Sequence, residues 1–485
     1  MTSISKGLAF LSMAMAACVS SFAEDVSVRI DFDTPTGAVK PVHGIGQGPL
    51  LGWIGTKLFT FLGEAGIPYA RLHDVGGAFG GGRFVDIHNV FPNFDADEDD
   101  PANYDFRFTD LYLQALIDNG VEPFYRLGES IENCAASVGP KYVHPPRDFA
   151  KWARICEHIV RHYTRGWANG YNWKIAYWEI WNEPENNNGN RPVLWQGTFR
   201  QYCELYDVTS KLLKSKYPEI KVGGYGACGF YSLYGDMGTP ALHERYAFFT
   251  KCFDDFLAYV KEHGCPLDFF SYHIYDKVEN VRHYINYPRE KLDAAGFKDT
   301  EISINEWMIV GGGPCGGVRC ASKLAEYLML FQNGPVDTAM VYDGRCQASP
   351  YAPLFRRIDR EEPGAPTPGI GVPRPGYYAL LYFNELKKLG KVVSCSVDGQ
   401  AVQALAATDG QDAGAVLLVN TTDALIWPKV EAGDWRRGVS RLTAEGSMDA
   451  LSADLVLPPR AIALVKFRRG AKRKATRSTN GVIGQ

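Results

Sequence analysis

Two segments of the sequence end an apolar run of strand length with a glutamate. Glu183 lies in Trp178-Glu-Ile-Trp-Asn-Glu-Pro184, and Glu306 lies in Thr300-Glu-Ile-Ser-Ile-Asn-Glu-Trp307. Because Pro184 has no amide hydrogen to donate to a β-ladder, the first strand is expected to end at Glu183. Two carboxyl groups at two strand ends can divide the acid–base and nucleophilic steps of glycosidic bond cleavage between them. The pair therefore indicates glycoside chemistry.

Strand and helix patterns alternate from about residue 41 to residue 390. Eight alternations without interruption favour a closed parallel barrel over a doubly wound sheet. The sequence thus predicts an α/β fold, a (β/α)8 TIM barrel, whose catalytic groups lie at the carboxyl ends of the strands. The predicted strands are 41–47, 67–74, 121–128, 173–183, 220–226, 267–275, 300–307 and 336–342.

A second domain is expected after residue 390, where short strands alternate with glycine-rich turns. The apolar and polar residues between Val26 and Phe32 also alternate, so this early strand is expected to join the later ones in an accessory β-sandwich domain. The basic end of the chain is expected to be disordered. The predicted boundaries are a signal peptide at 1–23, the joining strand at 24–40, the barrel at 41–390, the β-sandwich at 391–467 and the tail at 468–485.

The first residues have the pattern of an export signal. Lys6 precedes the mostly apolar stretch from Gly7 to Val19, and Ser21-Phe-Ala23 supplies small residues for cleavage after Ala23. Cys18 lies in a segment that resembles a lipoprotein cleavage box. We therefore expect export to the periplasm or the exterior, either free or as a lipoprotein. No later apolar run has the length of about 18 residues that a membrane span needs, so no transmembrane segment is expected.

Charge and cysteine content narrow the class of protein. A formal net charge of −4 argues against a nucleic-acid-binding protein. Ten cysteines follow Cys18, an even number that permits disulfides in an exported chain without fixing their pairing. Cys315 and Cys320 are a candidate loop disulfide and only a weak zinc half-site. Other cysteines lie within helical patterns and are expected to be buried thiols, namely Cys156, Cys203 and Cys252.

Several motifs together resemble the strand signatures of clan-A glycoside hydrolases. They are Trp178 to Pro184, Asp268-Phe-Phe-Ser-Tyr-His-Ile-Tyr275, Ile304-Asn-Glu-Trp307 and, more loosely, Tyr69-Ala-Arg-Leu-His-Asp74. Over roughly residues 40–345 the sequence is similar to glycoside hydrolase family 39, the β-xylosidase and α-L-iduronidase family. The resemblance implies a retaining mechanism with Glu183 as acid/base and Glu306 as nucleophile. It also implies an oligosaccharide or polysaccharide substrate and no cofactor.

The same resemblance assigns roles to three further residues. Asn182 is expected to bond the sugar 2-hydroxyl, a contact that strengthens in an oxocarbenium-like transition state. Arg71 and Tyr275 are expected to orient the nucleophile and to keep it ionised. An ion pair of Arg71 with Glu179 inside the barrel is an equal alternative.

Other residues near strand ends are candidate substrate contacts. His273 lies two positions before Tyr275, so both side chains are expected on one face of a strand. For His273 and Trp307, packing in the core is the alternative. Histidines on separate strands without an accompanying carboxylate pattern argue against a metal site. The candidate contacts are His273, Tyr275, His43, His73, Asp74 and Trp307.

The expected function is retaining exo-glycosidase action on plant or host glycans, on a β-xyloside or α-L-arabinoside unit. An acid that is protonated at neutral pH needs a raised pKa, and the charge of Glu306 is expected to raise the pKa of Glu183. The alternatives are a non-catalytic glycan-binding barrel and an endo-acting or uronic-acid-specific hydrolase. In the last case the arginines of a long loop are candidate contacts for a uronate, although solvated loop charges are the favoured interpretation. These arginines are Arg356, Arg357, Arg360 and Arg374.

Overall fold

The computed structural model describes residues 24–50, 55–73, 75, 84–131, 142–187, 193–234, 238–310, 316–346, 353–357, 371–444, 447–451 and 455–470. The expected export signal at 1–23, with Cys18, lies outside these ranges. So do Asp74, Cys315, Arg360 and most of the basic tail.

Eight parallel strands form a closed barrel in chain order, with β9 hydrogen-bonded back to β2. Each overlaps one of the eight predicted strands, so the predicted α/β barrel is confirmed. The strands are β2 (Gly44–Gly46), β3 (Tyr69–Leu72), β4 (Glu122–Leu127), β5 (Tyr177–Ile180), β6 (Lys221–Ala227), β7 (Phe269–Asp276), β8 (Glu301–Ile309) and β9 (Thr338–Tyr342).

Helices surround the barrel, and local capping sets several of their ends. The Asp148 side chain accepts the N–H of Lys151 at the start of α4, while Gly166 ends that helix at a φ of 72°. A capping box of Thr198 and Gln201 starts α5. The helices are α1 (Gly55–Glu64), α2 (Ile87–Val90), α3 (Arg107–Asp118), α4 (Phe149–Arg165), α5 (Phe199–Lys216), α6 (Pro240–His263), α7 (Val278–Tyr284), α8 (Tyr287–Ala295), α9 (Val318–Asn333) and α10 (Pro375–Leu389).

The interior of the barrel is layered along the strands. A small buried apolar cluster fills the amino end and contains Phe124, Tyr177, Phe269 and Met340. Side chains on a strand return to the same face every second residue, so polar residues follow on that face. The next interior positions toward the carboxyl end are Arg71, Arg126, Glu179 and Ser271. The layering thus places apolar packing at one end and polar chemistry at the other.

The accessory domain is one curled, mixed eight-stranded sheet in the order β15-β1-β12-β13-β14-β18-β16-β17. The early strand β1 pairs antiparallel with β12 and parallel with β15. A short separate ribbon is formed by β10 (Phe355–Arg357) and β11 (Gly371–Pro373). The sheet strands are β1 (Glu24–Ala38), β12 (Lys391–Val397), β13 (Val402–Thr408), β14 (Ala413–Asn420), β15 (Ile426–Glu431), β16 (Trp435–Ala444), β17 (Ser447–Leu451) and β18 (Ile462–Arg469).

Strand β14 is buried on both faces, and its alternation links the two domains. Leu417 and Val419 belong to the same apolar core as the barrel and its helices α9 and α10. Val416 and Leu418 point to the opposite face and pack in a separate core inside the curled sheet. The sheet therefore covers one side of the barrel while keeping an apolar core of its own.

Free thiols occur where helical patterns predicted them. Cys156, Cys203 and Cys252 are buried and form no disulfide, as the sequence indicated, and Cys228, Cys265 and Cys395 are also thiols. Within the described ranges, no helix has both the length and the apolar character that crossing a bilayer requires.

Strands β6 and β7 approach each other closely at Gly223, and this contact can be tested by substitution. A Cβ atom on Gly223 would lie 2.1 Å from the backbone oxygen of Phe269, whereas a Cβ on Gly37 in β1 would meet nothing within 4 Å. Gly223→Ala is expected to lower the free energy of unfolding by about 1–3 kcal/mol or more, because backbone cannot move aside as a side-chain tip can. Gly37→Ala is the matched control. Equal urea midpoints for the two variants would contradict the strand contact.

Candidate active site

Glu183 stands on an irregular segment just beyond the end of β5. The strand ends at Ile180, three residues before the predicted end, and Trp181 and Glu183 have left-handed backbone with φ of 72° and 44°. Such conformations are costly for residues other than glycine and persist only where the surroundings hold them. Here Trp181 N–H donates to Leu127 O at 2.7 Å, and Glu183 N–H donates to Gly226 O at 3.1 Å. Neighbouring strands thus fix the direction of the glutamate.

Glu306 lies within β8, which continues to Ile309. The strand contains a bulge next to this glutamate. Ser271 pairs with Ser303 and His273 pairs with Glu306, so β8 has one residue more than β7 in this interval. The extra residue lets Asn305 and Glu306, adjacent in sequence, both reach groups inside the barrel. The bulge therefore turns the glutamate toward the barrel axis without ending the strand.

The Arg71 guanidinium joins the two glutamate-bearing strands. Its Nε donates to Glu179 Oε2 at 2.7 Å and its Nη1 donates to Glu306 Oε2 at 3.0 Å. Its Nη2 donates to Asn182 Oδ1 at 2.5 Å. Both alternatives for Arg71 are therefore found together, since one side chain pairs with Glu179 and orients Glu306.

Glu179 is the buried counter-charge that holds Arg71 in place. Its Oε1 accepts hydrogen bonds from Ser271 Oγ at 2.6 Å and from Asn305 Nδ2 at 2.5 Å. Its side chain is 0% exposed. A buried carboxylate needs such full satisfaction, because an unpaired charge in the core is strongly unfavourable.

Glu306 is also held by Tyr275. Tyr275 Oη donates to Glu306 Oε1 at 2.7 Å, so the two oxygens of Glu306 face Tyr275 and Arg71. Burial raises the pKa of Tyr275 far above its usual value, and the charge of Glu306 adds to the effect. The phenol therefore stays protonated and remains a donor.

Glu183 has two partners of its own. His273 Nδ1 lies 2.6 Å from Glu183 Oε1, and Asn186 Nδ2 donates to Glu183 Oε2 at 2.6 Å. Burial by itself raises the pKa of Glu183, but the bonds from His273 and Asn186 and the charge of Arg71 outweigh it and lower the pKa. The expectation of a raised pKa for Glu183 is corrected: these partners stabilise the ionised form.

The two glutamates face each other across a short gap. One carboxylate oxygen of Glu183, one of Glu306 and a ring nitrogen of His273 all lie within 4.8 Å of one another. His273 is 0% exposed, and its Nε2 is 3.9 Å from Glu306 Oε2. The imidazole thus stands between the carboxylates, on the strand face that it shares with Tyr275.

His73 follows β3 at the carboxyl end of the barrel and is 3% exposed. Burial lowers its pKa well below the usual value, and the positive charges of Arg71, Arg126 and Arg345 lower it further. His73 is therefore a neutral ring beside the cationic centre. Gln47, which follows β2, donates from Nε2 to Oη of Tyr342, the last residue of β9, at 3.0 Å.

His43 and Trp307 lie apart from this group, which corrects two expected sugar contacts. His43 precedes the first residue of β2, and its ring packs against Phe383 of α10, where burial lowers its pKa to about 4. Trp307 is 0% exposed and packs against Tyr327 and Phe331 of α9. Both rings lie in the layer between the barrel strands and the surrounding helices. For Trp307 this is the core packing that the sequence offered as the alternative to a sugar contact.

Some residues of the site were missed by sequence reasoning. Ser271 carried a usable signal, because it precedes His273 and Tyr275 at steps of two on one strand. Asn305 gave none, since alternation places it on the face opposite Glu306 until the bulge is known. Asn186 lies in an irregular segment, so neither helical nor strand periodicity predicts where its side chain points.

Comparison with known sequences agrees with this geometry. The model of the family described as Glycosyl hydrolases family 39 matches residues 72–300, which include β4 to β7 and Glu183. Over these residues the chain is similar to glycoside hydrolase family 39. A curated relative, the beta-xylosidase of Geobacillus stearothermophilus, is 24% identical over 238 residues, which are 47% of this chain and 40% of that protein. The alignment thus spans less than half of the relative's length.

Solved structures share the whole fold. A glucosidase from Croceicoccus marinus superposes with a TM-score of 0.67 at 19% identity, covering 92% of this chain and 99% of that one. A family 39 beta-xylosidase from Caulobacter crescentus gives a TM-score of 0.62 at 20% identity, with the same coverage of 92% and 99%. At these identities the likeness establishes the architecture of barrel and accessory sheet.

Glu185, two residues beyond Glu183, generates a prediction about stability. Burial raises its pKa from 4.5 to about 8, Oε1 accepts the N–H of Cys228 at 2.7 Å, and Oε2 has no hydrogen-bond partner. Because the folded protein binds this proton more tightly than the unfolded chain, stability is full below about pH 4.5 and falls as the pH rises toward 8. Glu185→Gln is expected to be more stable than the parent by about 2–4 kcal/mol near the upper end of this window.

Denaturant unfolding of both proteins across this pH range measures the effect. The exposed Glu204→Gln on α5 is the control, whose stability is expected to follow that of the parent. Parallel stability curves for parent and Glu185→Gln would show that Glu185 is ionised in the folded protein.

Proposed function

We propose that the protein is a retaining glycosidase in which Glu183 is the acid/base and Glu306 is the nucleophile. The observation that carries the proposal is the buried contact set of Arg71, which orients Glu306 and Asn182 together. The oxygens of Glu183 and Glu306 within 4.8 Å also support it. Retaining enzymes need carboxyl groups about 5–5.5 Å apart, whereas inverting enzymes need about 6.5–9.5 Å to admit a water.

In the first step a carboxylate oxygen of Glu306 forms a bond to the anomeric carbon. The bond from that carbon to the leaving oxygen breaks, and Glu183 gives its proton to that oxygen. The product is a glycosyl ester on Glu306. Arg71 and Tyr275 orient Glu306 for the attack, because both donate to its oxygens.

In the second step Glu183 takes a proton from water while the water oxygen attacks the anomeric carbon. The ester bond breaks, Glu306 leaves as a carboxylate, and the released sugar keeps its original configuration. Asn182 Oδ1 accepts from Arg71, which leaves its amide N–H groups for the sugar 2-hydroxyl. The partners that lower the pKa of Glu183 favour the base form needed here.

The proposal extends to the substrate and to location. A β-xyloside or α-L-arabinoside unit removed from a chain end is the expected substrate, supported by similarity to the family and by the xylosidase named among its relatives. Export to the periplasm or exterior rests on the composition of residues 1–23.

Covalent trapping tests the roles of the two glutamates. A panel of 2-deoxy-2-fluoro-glycosyl fluorides is expected to inactivate the enzyme and to label Glu306. The 2-fluorine slows both formation and hydrolysis of the ester, whereas the fluoride leaving group speeds only formation, so the ester accumulates. Peptide mass spectrometry identifies both the residue and the preferred sugar. Glu183→Ala is expected to be labelled at the same residue, since fluoride leaves without protonation, while Glu306→Ala is expected to take no label. Label on another carboxylate would overturn the assignment.

The pH dependence of activity tests the state of Glu183. Because the pKa of Glu183 is lowered from 4.5, the protonated acid is populated only at acidic pH, and kcat/KM is expected to fall as the pH rises out of that range. His273→Ala removes the strongest group that opposes the effect of burial, so the alkaline limb of the kcat/KM profile is expected to move to higher pH. The exposed His283→Gln on α7 is the control and should leave the limb in place. An unmoved limb in His273→Ala would contradict the assignment of Glu183 as the acid.

A further inference from the structure

Arg245, in the first turns of α6, carries a positive charge close to the acid/base. Its Nη2 donates to Asn186 Oδ1 at 3.0 Å, and the same Asn186 donates to Glu183 Oε2 at 2.6 Å. Arg245 is therefore two hydrogen bonds away from Glu183. The mechanism above gives it no role.

The guanidinium of Arg245 packs against an aromatic ring of its own helix. Its Cζ lies 5.2 Å from the centre of the Phe249 ring, and its buried Nε has no hydrogen-bond partner among the described residues. Within the described part of the chain, no carboxylate lies within the 4.0 Å of an ion pair with Arg245. Burial raises the pKa of Glu185 to about 8, so this carboxyl carries little negative charge at neutral pH. A half-buried cation with a spare donor is suited to an anion that arrives with the substrate.

The position of Arg245 relative to Glu183 indicates which part of the substrate it meets. Oε1 of Glu183 faces His273, which stands next to Glu306 and hence on the side of the sugar under attack. Oε2 of Glu183 faces Asn186 and, through Asn186, Arg245. Since Glu183 protonates the departing oxygen, groups on the Oε2 side lie along the leaving group.

We propose that Arg245, held by Asn186, binds the carboxylate of a uronic acid unit on the leaving-group side of the scissile bond. A guanidinium matches a carboxylate with two parallel N–H donors, and the half-buried setting weakens screening by water. The inference rests on the proposed glycosidase function and adds an acidic glycan as its substrate class. It assigns the anion to Arg245 of α6 in place of the loop arginines that the sequence offered.

A matched pair of aryl glycosides tests the inference. The sugar is the one that the trapping panel selects, and the leaving group is either 4-hydroxybenzoate or the neutral 4-hydroxybenzamide of the same shape. The parent enzyme is expected to prefer the carboxylate in kcat/KM, and the preference is expected to shrink as salt is added. A disaccharide pair with a uronic acid or the corresponding neutral sugar as leaving unit repeats the comparison with a natural linkage.

The preference ratio, rather than the activity itself, is the readout for variants. Arg245→Gln is expected to lower the ratio by about tenfold or more, because a hydrogen-bonded charge contact is lost. Arg245→Lys keeps the charge without the planar fork and is expected to keep part of the preference. The exposed Arg468→Gln in the accessory sheet is the matched control, with an unchanged ratio.

The outcomes separate this inference from the proposed function. Hydrolysis of the neutral glycoside without a preference for the carboxylate would overturn the role of Arg245 and leave the glycosidase proposal standing. Absence of hydrolysis of every glycoside in the panel would overturn the glycosidase proposal itself. A variant that loses activity on both substrates equally, with the ratio kept, would show that Arg245 only positions Asn186.

Discussion

The active site depends on one buried ion cluster centred on Arg71. Its guanidinium bonds Glu179 and Asn182, at the end of β5, and Glu306 in β8. Breaking a buried pair by removing one partner typically costs about 3–5 kcal/mol, because the remaining charge is left without compensation. The cluster therefore links the stability of the barrel to the geometry of its chemistry, and the nucleophile cannot be reoriented without disturbing the core.

Two local departures from regular strand geometry make this cluster possible. The left-handed backbone at Trp181 and Glu183 lets the chain leave β5 and still direct Glu183 across the barrel mouth. The bulge in β8 brings Asn305 and Glu306 to the inside together, so one supports Glu179 while the other faces Glu183. Both irregularities lie at the carboxyl end of the barrel, where strand ends are free to supply functional groups, while the amino end stays regular and apolar.

Charge is distributed so that each carboxylate has a distinct environment. Glu179 is fully bonded inside the core, Glu306 is held between a cation and a neutral phenol, and Glu183 is linked through Asn186 to Arg245. The lowered pKa of Glu183 follows from its hydrogen-bond partners, which act against the effect of burial. Distance between carboxyl groups is thus one determinant of their titration, and the donors around each group are the other.

The sequence by itself determined the barrel, its eight strands and the two glutamates, because apolar periodicity and a strand-breaking Asn-Glu-Pro segment are local properties of the chain. It also placed His273 and Tyr275 on one strand face through their spacing of two. Only the tertiary structure decided that His43 and Trp307 pack outside the barrel, that Asn305 turns inward and that the pKa of Glu183 falls. The physical reason is that these outcomes depend on register and on contacts between distant positions, such as Arg71 with Glu306, 235 residues apart.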